Sequence, residues 1–292
     1  MYPARIEQYV RPQSIAEALA AISQYEAGEA MFLAGGQSAM QAMKSRMLQP
    51  QCIVDLQDIA ELTGIHQDAS GLHIGAMTRY VDIAASTTLG NAYAAMSDAA
   101  AHVGDRQVRN RGTIGGSVCW NYVASCTPAA VLGTGGILVL QAADGTEREI
   151  NADDFFLGPL ETAKNDDELL REVRWPEAPA QSGSSYKKWG LITDALPVIG
   201  VCVAVTVDAQ GNCSAARVSL SGLANGCQRG AAAEALLQGS AGDQNACEAA
   251  MQALSTSVET HADMSADADF RRQLIRTIGS EVAMTAFARA RA

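Results

Sequence analysis

The sequence predicts an α+β protein of two domains, and three observations lead to this prediction. The chain has 292 residues, which is enough for two domains of ordinary size. The first 176 residues mix short apolar strands with helices, whereas beyond residue 183 strands come first and helices follow. Between these parts lies a segment rich in Pro, Ala, Ser and Gly, residues 177–183, whose composition is typical of a linker.

The first domain, residues 1–176, is predicted to consist of two α+β subdomains at about 1–58 and 59–176. In the first, Ser14 and Glu17 form a capping box that begins a helix ending near Tyr25. Strands at 30–33 and 52–56 follow, on either side of a helix that ends near Met47. In the second subdomain we expect strands at 72–75, 137–141, 147–150 and 169–175, helices from Thr78, Asn91 and Pro128, and a turn at 112–117.

The second domain, residues 184–292, is predicted to hold a three-stranded antiparallel sheet followed by helices. Gln210–Asn212 forms a turn between the second and third strands. The expected strands are 184–189, 198–208 and 213–222, and the expected helices are 231–237, 244–257, 267–277 and 280–290.

Composition and charge exclude several functional classes. The chain carries 21 basic and 32 acidic side chains, a net charge of −11, which argues against a nucleic-acid-binding protein. A hydrophobic content of 48% with 18% charged residues excludes a disordered chain. The acidity is uneven: residues 1–176 carry 12 basic and 21 acidic side chains, and residues 177–292 carry 9 and 11.

Several patterns bear on location and metal binding. The N-terminal sequence shows no secretory signal, and seven scattered cysteines without a CxxC pair favour reduced thiols and a cytoplasmic protein. The 32 uncharged residues from Gly112 to Ala143 are interrupted by many glycines, so we interpret them as buried core and expect no transmembrane segment. The four histidines (66, 73, 102 and 261) show no metal or catalytic-triad spacing, so no metal site is expected.

Two glycine-rich turns are the candidate binding elements. The first is Leu33-Ala-Gly-Gly-Gln-Ser38, between a strand and a helix, and the second is Arg111-Gly-Thr-Ile-Gly-Gly-Ser117. Adjacent glycines allow backbone N–H groups to converge on an anion such as a phosphate. Asp55 follows the first turn at a distance that suggests a Rossmann motif, but the G-x-G-x-x-G spacing is absent. Each turn taken alone also fits a tight turn with no ligand.

These motifs, with the strand Cys52-Ile-Val-Asp-Leu56 after the first, resemble the FAD-binding medium subunit of the molybdenum hydroxylase family. This family is of the carbon monoxide dehydrogenase, xanthine dehydrogenase and N-heterocycle dehydrogenase type. Weaker similarities run almost to the end of the chain, for example at Tyr186-Lys-Lys188 and Asp269-Phe-Arg-Arg272. The resemblance implies a first domain of the p-cresol methylhydroxylase type and a C-terminal domain of the molybdenum hydroxylase flavoprotein type.

The resemblance also implies the cofactor-binding residues. The first loop would hold the FAD pyrophosphate, and the second would line the ribityl and pyrophosphate region. A Leu and a Lys beside the isoalloxazine ring correspond best to Leu170 and Lys188, and the Lys would stabilise the anionic reduced flavin. A solvated surface Lys is the alternative. The loop residues are Leu33, Ala34, Gly35, Gly36, Gln37 and Ser38, and then Gly104, Gly112, Thr113, Ile114, Gly115, Gly116 and Ser117.

One departure from the family pattern lies after the second loop. The family usually reads Asp-Pro-x-x-Asp before the next helix, whereas Tyr122 and Cys126 stand where the carboxylates would be. A thiol is a weak acceptor, and losing a charged hydrogen bond would cost about 1.5–3 kcal/mol of FAD affinity. We expect FAD to bind nevertheless, with Ser125 as the best retained contact and Asn121 and Thr127 as partial substitutes.

By resemblance, the chain is the FAD-carrying electron-transfer subunit of a heteromeric molybdenum hydroxylase. The partners would be a large subunit with the molybdenum–pterin cofactor and a small subunit with two [2Fe–2S] clusters, assembled as a dimer of heterotrimers. No catalytic residue beyond the flavin is expected on this chain. The alternatives are a freestanding FAD-dependent oxidoreductase and a cofactor-less assembly scaffold.

Overall fold

The structure is a computed structural model, and it describes residues 5–292. In that range, fourteen β-strands form four sheets and eleven α-helices pack on them, which confirms the α+β prediction. Three short 3₁₀ turns lie at Leu56–Asp58, Ala60–Leu62 and Asn91–Tyr93.

The N-terminal part forms a small parallel sheet of order β1-β3-β2. Helix α1 begins as the capping box predicts, since Ser14 Oγ accepts a hydrogen bond from the Glu17 N–H at 3.2 Å. Asp55 ends β3 and accepts from the Gln57 N–H at 3.0 Å, so it caps the next turn as a structural residue. The elements are β1 (Gln8–Val10), α1 (Ile15–Ile22), β2 (Ala30–Leu33), α2 (Ala39–Lys44) and β3 (Cys52–Asp55).

The next part is built on an antiparallel five-stranded sheet of order β4-β5-β10-β6-β7. Its strands are β4 (Ile65–Asp68), β5 (Gly71–Gly75), β6 (Ile137–Gln141), β7 (Glu147–Asn151) and β10 (Leu169–Trp175). A two-stranded sheet, β8 (Phe156–Gly158) and β9 (Glu161–Thr162), lies beside it. The helices are α3 (Tyr80–Ala85), α4 (Ala94–Ala101), α5 (Arg106–Arg109), α6 (Ile114–Trp120), α7 (Cys126–Thr134) and α8 (Ala152–Phe155).

The C-terminal part is an antiparallel sheet covered by helices, and it has four strands rather than the three expected from the sequence. The additional strand has only two residues, too few to show a periodic pattern. The elements are β11 (Ser182–Trp189), β12 (Ile199–Val207), β13 (Cys213–Ser221), β14 (Gln228–Arg229), α9 (Ala231–Leu237), α10 (Gln244–Ser257) and α11 (Ala268–Ala290).

Other differences from the sequence expectations have local causes. The two helices expected at 267–277 and 280–290 are one continuous helix, α11. Gly279 does not interrupt it, because its missing side chain allows α10 to pack closely at this point. A Cβ at Gly279 would lie 2.5 Å from the Met251 Sδ of α10. The turn expected at 112–117 gives way to α6 at Ile114, and β11 begins inside the expected linker. Strand β4 was not expected, because its outer residues are polar.

The uncharged segment lies at the centre of the molecule, as interpreted from the sequence. Residues 126–133 of α7 are all buried, and α7 packs on β12 and β13. A Cβ at Gly133 would lie 2.5 Å from Ser219 Oγ and 2.7 Å from Cys202 Sγ, so only glycine permits this approach. In residues 5–292, no helix combines the length and the apolar character needed to cross a membrane.

A buried arginine connects α11 to the C-terminal sheet. Arg271 is 2% exposed, and its guanidinium donates to the carbonyl oxygens of Val198 at 2.5 Å and Gly222 at 2.8 Å. The same group pairs with Asp263 at 2.7 Å. Two carbonyls and a carboxylate therefore depend on this one cation.

We expect Arg271→Met to destabilise the protein by about 3 kcal/mol, because it leaves the partners of a buried charge unsatisfied. Urea denaturation followed by circular dichroism measures the change. Arg276→Met on the same helix, where the guanidinium bonds Gln273 near the surface, is the control and should change stability by less than about 0.5 kcal/mol. Equal effects of the two substitutions would contradict this role of Arg271.

Candidate functional site

The first glycine loop presents open backbone donors between β2 and α2. Gly36 has φ +75°, a left-handed conformation that favours glycine. In the described part of the chain, the N–H groups of residues 35–38 donate to no protein acceptor. The Ser38 side chain makes no cap hydrogen bond although it stands at the N-cap of α2. Four consecutive N–H groups and a hydroxyl group are therefore free of protein partners in this loop, which is the donor supply that an anion-binding loop requires.

The second glycine loop is different, because most of its N–H groups donate to acceptors inside the protein. Gly112 donates to Val108 O at 2.7 Å, Ile114 to Thr78 O at 3.1 Å and Gly115 to Ala76 O at 2.8 Å. Gly116 and Ser117 donate to the hydroxyl and carbonyl oxygens of Thr113 at 3.2 Å. The sequence suggested two phosphate cradles. The first has four free N–H donors, whereas in the second, of Gly112 to Ser117, the Thr113 N–H alone donates to no acceptor within residues 5–292. The second loop is held in place by these hydrogen bonds. It could contribute to a binding site through its small residues and its hydroxyl groups.

The two loops lie in direct contact. A Cβ at Gly35 would overlap the carbonyl oxygen of Arg111, and a Cβ at Gly116 would lie 3.2 Å from the Cβ of Ala34. A Cβ at Gly112 would lie 2.7 Å from the Tyr80 ring. Gly35 and Gly116 therefore permit the approach of the two loops, and Gly112 permits the packing of the second loop on Tyr80, whether or not a ligand is present.

The segment before the second loop is held by an arginine. Gly104 has φ +45°, and the Arg109 guanidinium donates to the carbonyl oxygens of Val103 at 3.1 Å and Gly104 at 2.7 Å. Arg109 is therefore engaged in shaping the turn that leads into α5.

At the start of α7, some polar side chains form hydrogen bonds within the protein and one does not. Asn121 has φ +42° and donates through its amide to the carbonyl oxygens of Gly158 and Glu161, at 2.8 and 3.0 Å. Thr127 Oγ1 donates to the hydroxyl of Tyr80 at 3.3 Å. The Ser125 hydroxyl makes no hydrogen bond to residues 5–292 and is half-buried. Of the three substitutes named from the sequence, Ser125 is the one still available to a ligand.

Cys126 is buried at the first turn of α7, 4% exposed. Burial raises the pKa of its thiol, although the Tyr186 hydroxyl and the Lys188 ammonium act in the opposite direction. The thiol therefore remains protonated and is a poor replacement for a carboxylate as a hydrogen-bond acceptor.

Lys188 is a largely buried cation at the end of β11, 9% exposed. Its Nζ donates to the carbonyl oxygen of Ala195, which lies in the loop after β11. Burial lowers the pKa of Lys188, and the nearby Cys126 and Asp194 oppose that shift. Its neighbour Lys187 is exposed and pairs with Glu281 at 2.6 Å. The alternative of a solvated surface lysine therefore describes Lys187 and not Lys188.

Leu170 stands in β10 of the five-stranded sheet, in the apolar cluster that also contains Ile114 of the second loop. It is 4% exposed and stands opposite Leu140 of β6. The structure thus groups Lys188 with Ser125 and Cys126 at the end of α7, but does not bring Leu170 to them by a described contact. Its role beside the cofactor stays a prediction.

The sequence did not indicate that residues 76–80 hold the second loop in position through backbone hydrogen bonds. Ala76 and Thr78 accept the loop's N–H groups, and Arg79 forms an isolated β-bridge with Thr113. Thr78 was expected to cap a helix, but its Oγ1 donates to Gly64 O and accepts from Gly64 N. No residue type in this segment signals such a role, because the anchoring atoms belong to the backbone.

Comparisons with known proteins match this chain over most of its length. Residues 4–178 match the family described as the FAD binding domain in molybdopterin dehydrogenase, and residues 184–286 match the CO dehydrogenase flavoprotein C-terminal domain. The carbon monoxide dehydrogenase medium chain of Hydrogenophaga pseudoflava is 32% identical over 289 residues, covering 99% of each chain. The nicotine 6-hydroxylase medium subunit of Paenarthrobacter nicotinovorans is 30% identical and covers 93% of this chain and 94% of its own.

A solved structure matches this chain over almost its whole length. A chain of carbon monoxide dehydrogenase from Hydrogenophaga pseudoflava, in a form that lacks the Mo-pyranopterin moiety, superimposes with a TM-score of 0.91 at 34% sequence identity. The match covers 99% of both chains.

We expect Gly35→Ala to cost about 3 kcal/mol of folding free energy, because the added methyl group must separate two backbone segments. Gly28→Ala is the matched control: it pays the cost of a positive φ, about 1–2 kcal/mol, but nothing lies within 4 Å of its Cβ. Urea denaturation of both variants measures the difference. If Gly35→Ala costs no more than the control, the loops do not touch as described.

Proposed function

The chain belongs to the family of FAD-binding medium subunits of molybdenum hydroxylases, and from this premise we propose that it is the electron-transfer subunit of such an enzyme. It would take electrons from the [2Fe–2S] clusters of a partner subunit and deliver them to an external acceptor. The observation that carries the proposal is the first glycine loop, with its four open N–H donors, in contact with the second.

The first loop would hold the FAD pyrophosphate. Its free N–H groups suit an anion without requiring a lysine or arginine cluster, which agrees with the acidic composition of residues 1–176. The residues with this proposed role are Leu33, Ala34, Gly35, Gly36, Gln37 and Ser38. The second loop with Gly104 would line the ribityl region, where Thr113 and Ser117 offer hydroxyl groups.

Ser125 and Lys188 would complete the site. The Ser125 hydroxyl is available to a ribityl oxygen, whereas Cys126 supplies shape and an apolar surface. When bound, FAD supplies a redox group that exchanges electrons singly or in pairs. Lys188 would place its buried ammonium beside the ring and stabilise negative charge there, because burial weakens the screening by solvent.

The proposed partners follow from the relatives, which are named as medium chains or subunits. We propose a large subunit with a molybdenum–pterin cofactor and a small subunit with two [2Fe–2S] clusters, assembled as a dimer of heterotrimers in the cytoplasm. We further propose that residues 1–176 are the FAD-binding domain and 184–292 the C-terminal domain, joined by the segment 177–183.

Native co-purification tests this function against its alternatives. The complex is isolated from its host and assayed for flavin, iron and molybdenum per copy of this chain. We expect one flavin and four iron atoms in a complex with larger and smaller subunits. Flavin in a lone chain or homo-oligomer would indicate a freestanding oxidoreductase, and a complex without flavin absorbance would indicate a scaffold.

We expect Lys188→Met to retain FAD but to lower its midpoint potential by about 30 mV or more, which for two electrons corresponds to about 1.4 kcal/mol. The sign follows because a cation stabilises the more negative, reduced state. Potentiometric titration of the isolated flavoprotein measures the shift. Lys187→Met removes an equal charge from the adjacent exposed position and serves as the control. Equal potentials in both variants would exclude Lys188 from the ring's surroundings.

A further inference from the structure

A second cluster of ligand-type side chains lies on the hairpin formed by β4 and β5, apart from the glycine loops. His66, Asp68 and His73 offer ligand atoms that all lie within 4.8 Å of one another. His66 and Asp68 are exposed, and His73 is buried. The sequence showed no metal spacing, because the two histidines are seven positions apart and meet only through strand pairing.

The strand register explains why these residues share one surface. His66 pairs directly with His73 across the antiparallel hairpin, and Asp68 lies two positions further along β4 on the same face. The imidazole rings stack with centroids 4.6 Å apart and planes inclined by 6°. The strand pairing thus places two imidazoles and a carboxylate on one surface before any ion is added.

His73 is oriented by a carboxylate behind it. Its Nδ1 lies 3.0 Å from Glu172 Oε1 on the neighbouring strand β10. If that Nδ1 carries the proton, Nε2 has a free lone pair. This carboxylate–histidine arrangement is the outer support that metal-binding histidines commonly have.

The other side of His73 faces Ser70 and the Asp68 carboxylate. Nε2 lies 2.8 Å from Ser70 Oγ and 3.4 Å from Asp68 Oδ1. The Ser70 N–H and hydroxyl group lie 2.8 and 2.6 Å from the same Asp68 oxygen. A cation between Nε2 and this carboxylate would contact two acceptor atoms on one surface of the hairpin.

We propose that this hairpin binds a divalent transition-metal ion of the Zn²⁺ or Ni²⁺ type through His66, Asp68 and Nε2 of His73. Two imidazoles and one carboxylate are a common donor set for such ions and leave coordination positions for water. Binding requires the exposed His66 ring to turn out of its stack, so that ligand atoms at about 2.0–2.2 Å from the ion can converge.

The neighbouring charges permit an added cation. Arg174 stands opposite His73 on β10, but its guanidinium forms an ion pair with Glu149. Glu172 and Asp68 together place two carboxylates around the buried ring. An ion here would join β4, the edge strand of the five-stranded sheet, to β5.

Titration of the untagged, full-length protein with NiCl₂ by isothermal calorimetry tests the proposal. We expect one Ni²⁺ per chain with micromolar affinity. His66→Ala should weaken binding at least tenfold, and Glu172→Gln by about tenfold to a hundredfold through loss of orientation. His261→Ala is the matched control, since His261 also lies beside an aspartate, Asp263, without a third ligand, and should leave the affinity unchanged.

Electron paramagnetic resonance of the Cu²⁺-loaded protein then identifies the ligands. Nitrogen coupling that is lost in His66→Ala supports the site, whereas sulfur ligation would assign the binding to one of the free cysteines and overturn the proposal. Absence of stoichiometric Ni²⁺ binding, or unchanged affinity in His66→Ala, would also overturn it. Because His66 is exposed, this variant tests the site without removing the buried His73.

Discussion

The backbone of Gly35 lies so close to the carbonyl group of Arg111 that no side chain fits between them. Through this contact the loop that follows strand β2 of the small parallel sheet meets the loop between helices α5 and α6. The loop of β2 and α2 is fixed on one side, and the segment from α5 to α6 on the other. A glycine is required on the first loop because the partner is backbone, which cannot be replaced by a smaller group.

The two loops use their backbone N–H groups differently. In the second, Ala76 and Thr78 accept the N–H groups of Gly115 and Ile114, and most of the remaining donors bond within the loop or to the residues just before it. In the first, the N–H groups of residues 35–38 are free. Oriented peptide dipoles act at short range and net charge at longer range, so an acidic composition does not prevent such a loop from attracting an anion.

Local patterns in the sequence predicted much of this fold, and the failures have physical reasons. The capping box at Ser14, four of the five strands of the antiparallel sheet and the burial of the uncharged segment follow from periodicity and turn chemistry, and the structure confirms them. The interruption expected between residues 277 and 280 is wrong, because a sequence does not show that Gly279 packs against Met251 within one continuous helix. For the candidate site, the motifs identified the loops. Which loop has open donors depends on tertiary hydrogen bonds, which no residue type reveals.

The histidine cluster shows the same limit. His66 and His73 meet by strand register, and Glu172 joins them from a strand almost a hundred residues later. The spacing of these residues along the sequence does not reveal that they lie together.

The two family matches cover residues 4–178 and 184–286, but one hydrophobic cluster contains residues of both of these modules. Tyr186 and Cys202 of the C-terminal sheet belong to the apolar cluster of the five-stranded sheet and α7. Asp98 of α4 accepts hydrogen bonds from Arg289, Ser185 and the Tyr186 N–H, at 2.5 to 3.2 Å. A module moved alone into another protein would therefore lose the apolar contacts that it makes with the other module. The unit to exchange in protein engineering is therefore the pair of modules with their shared core.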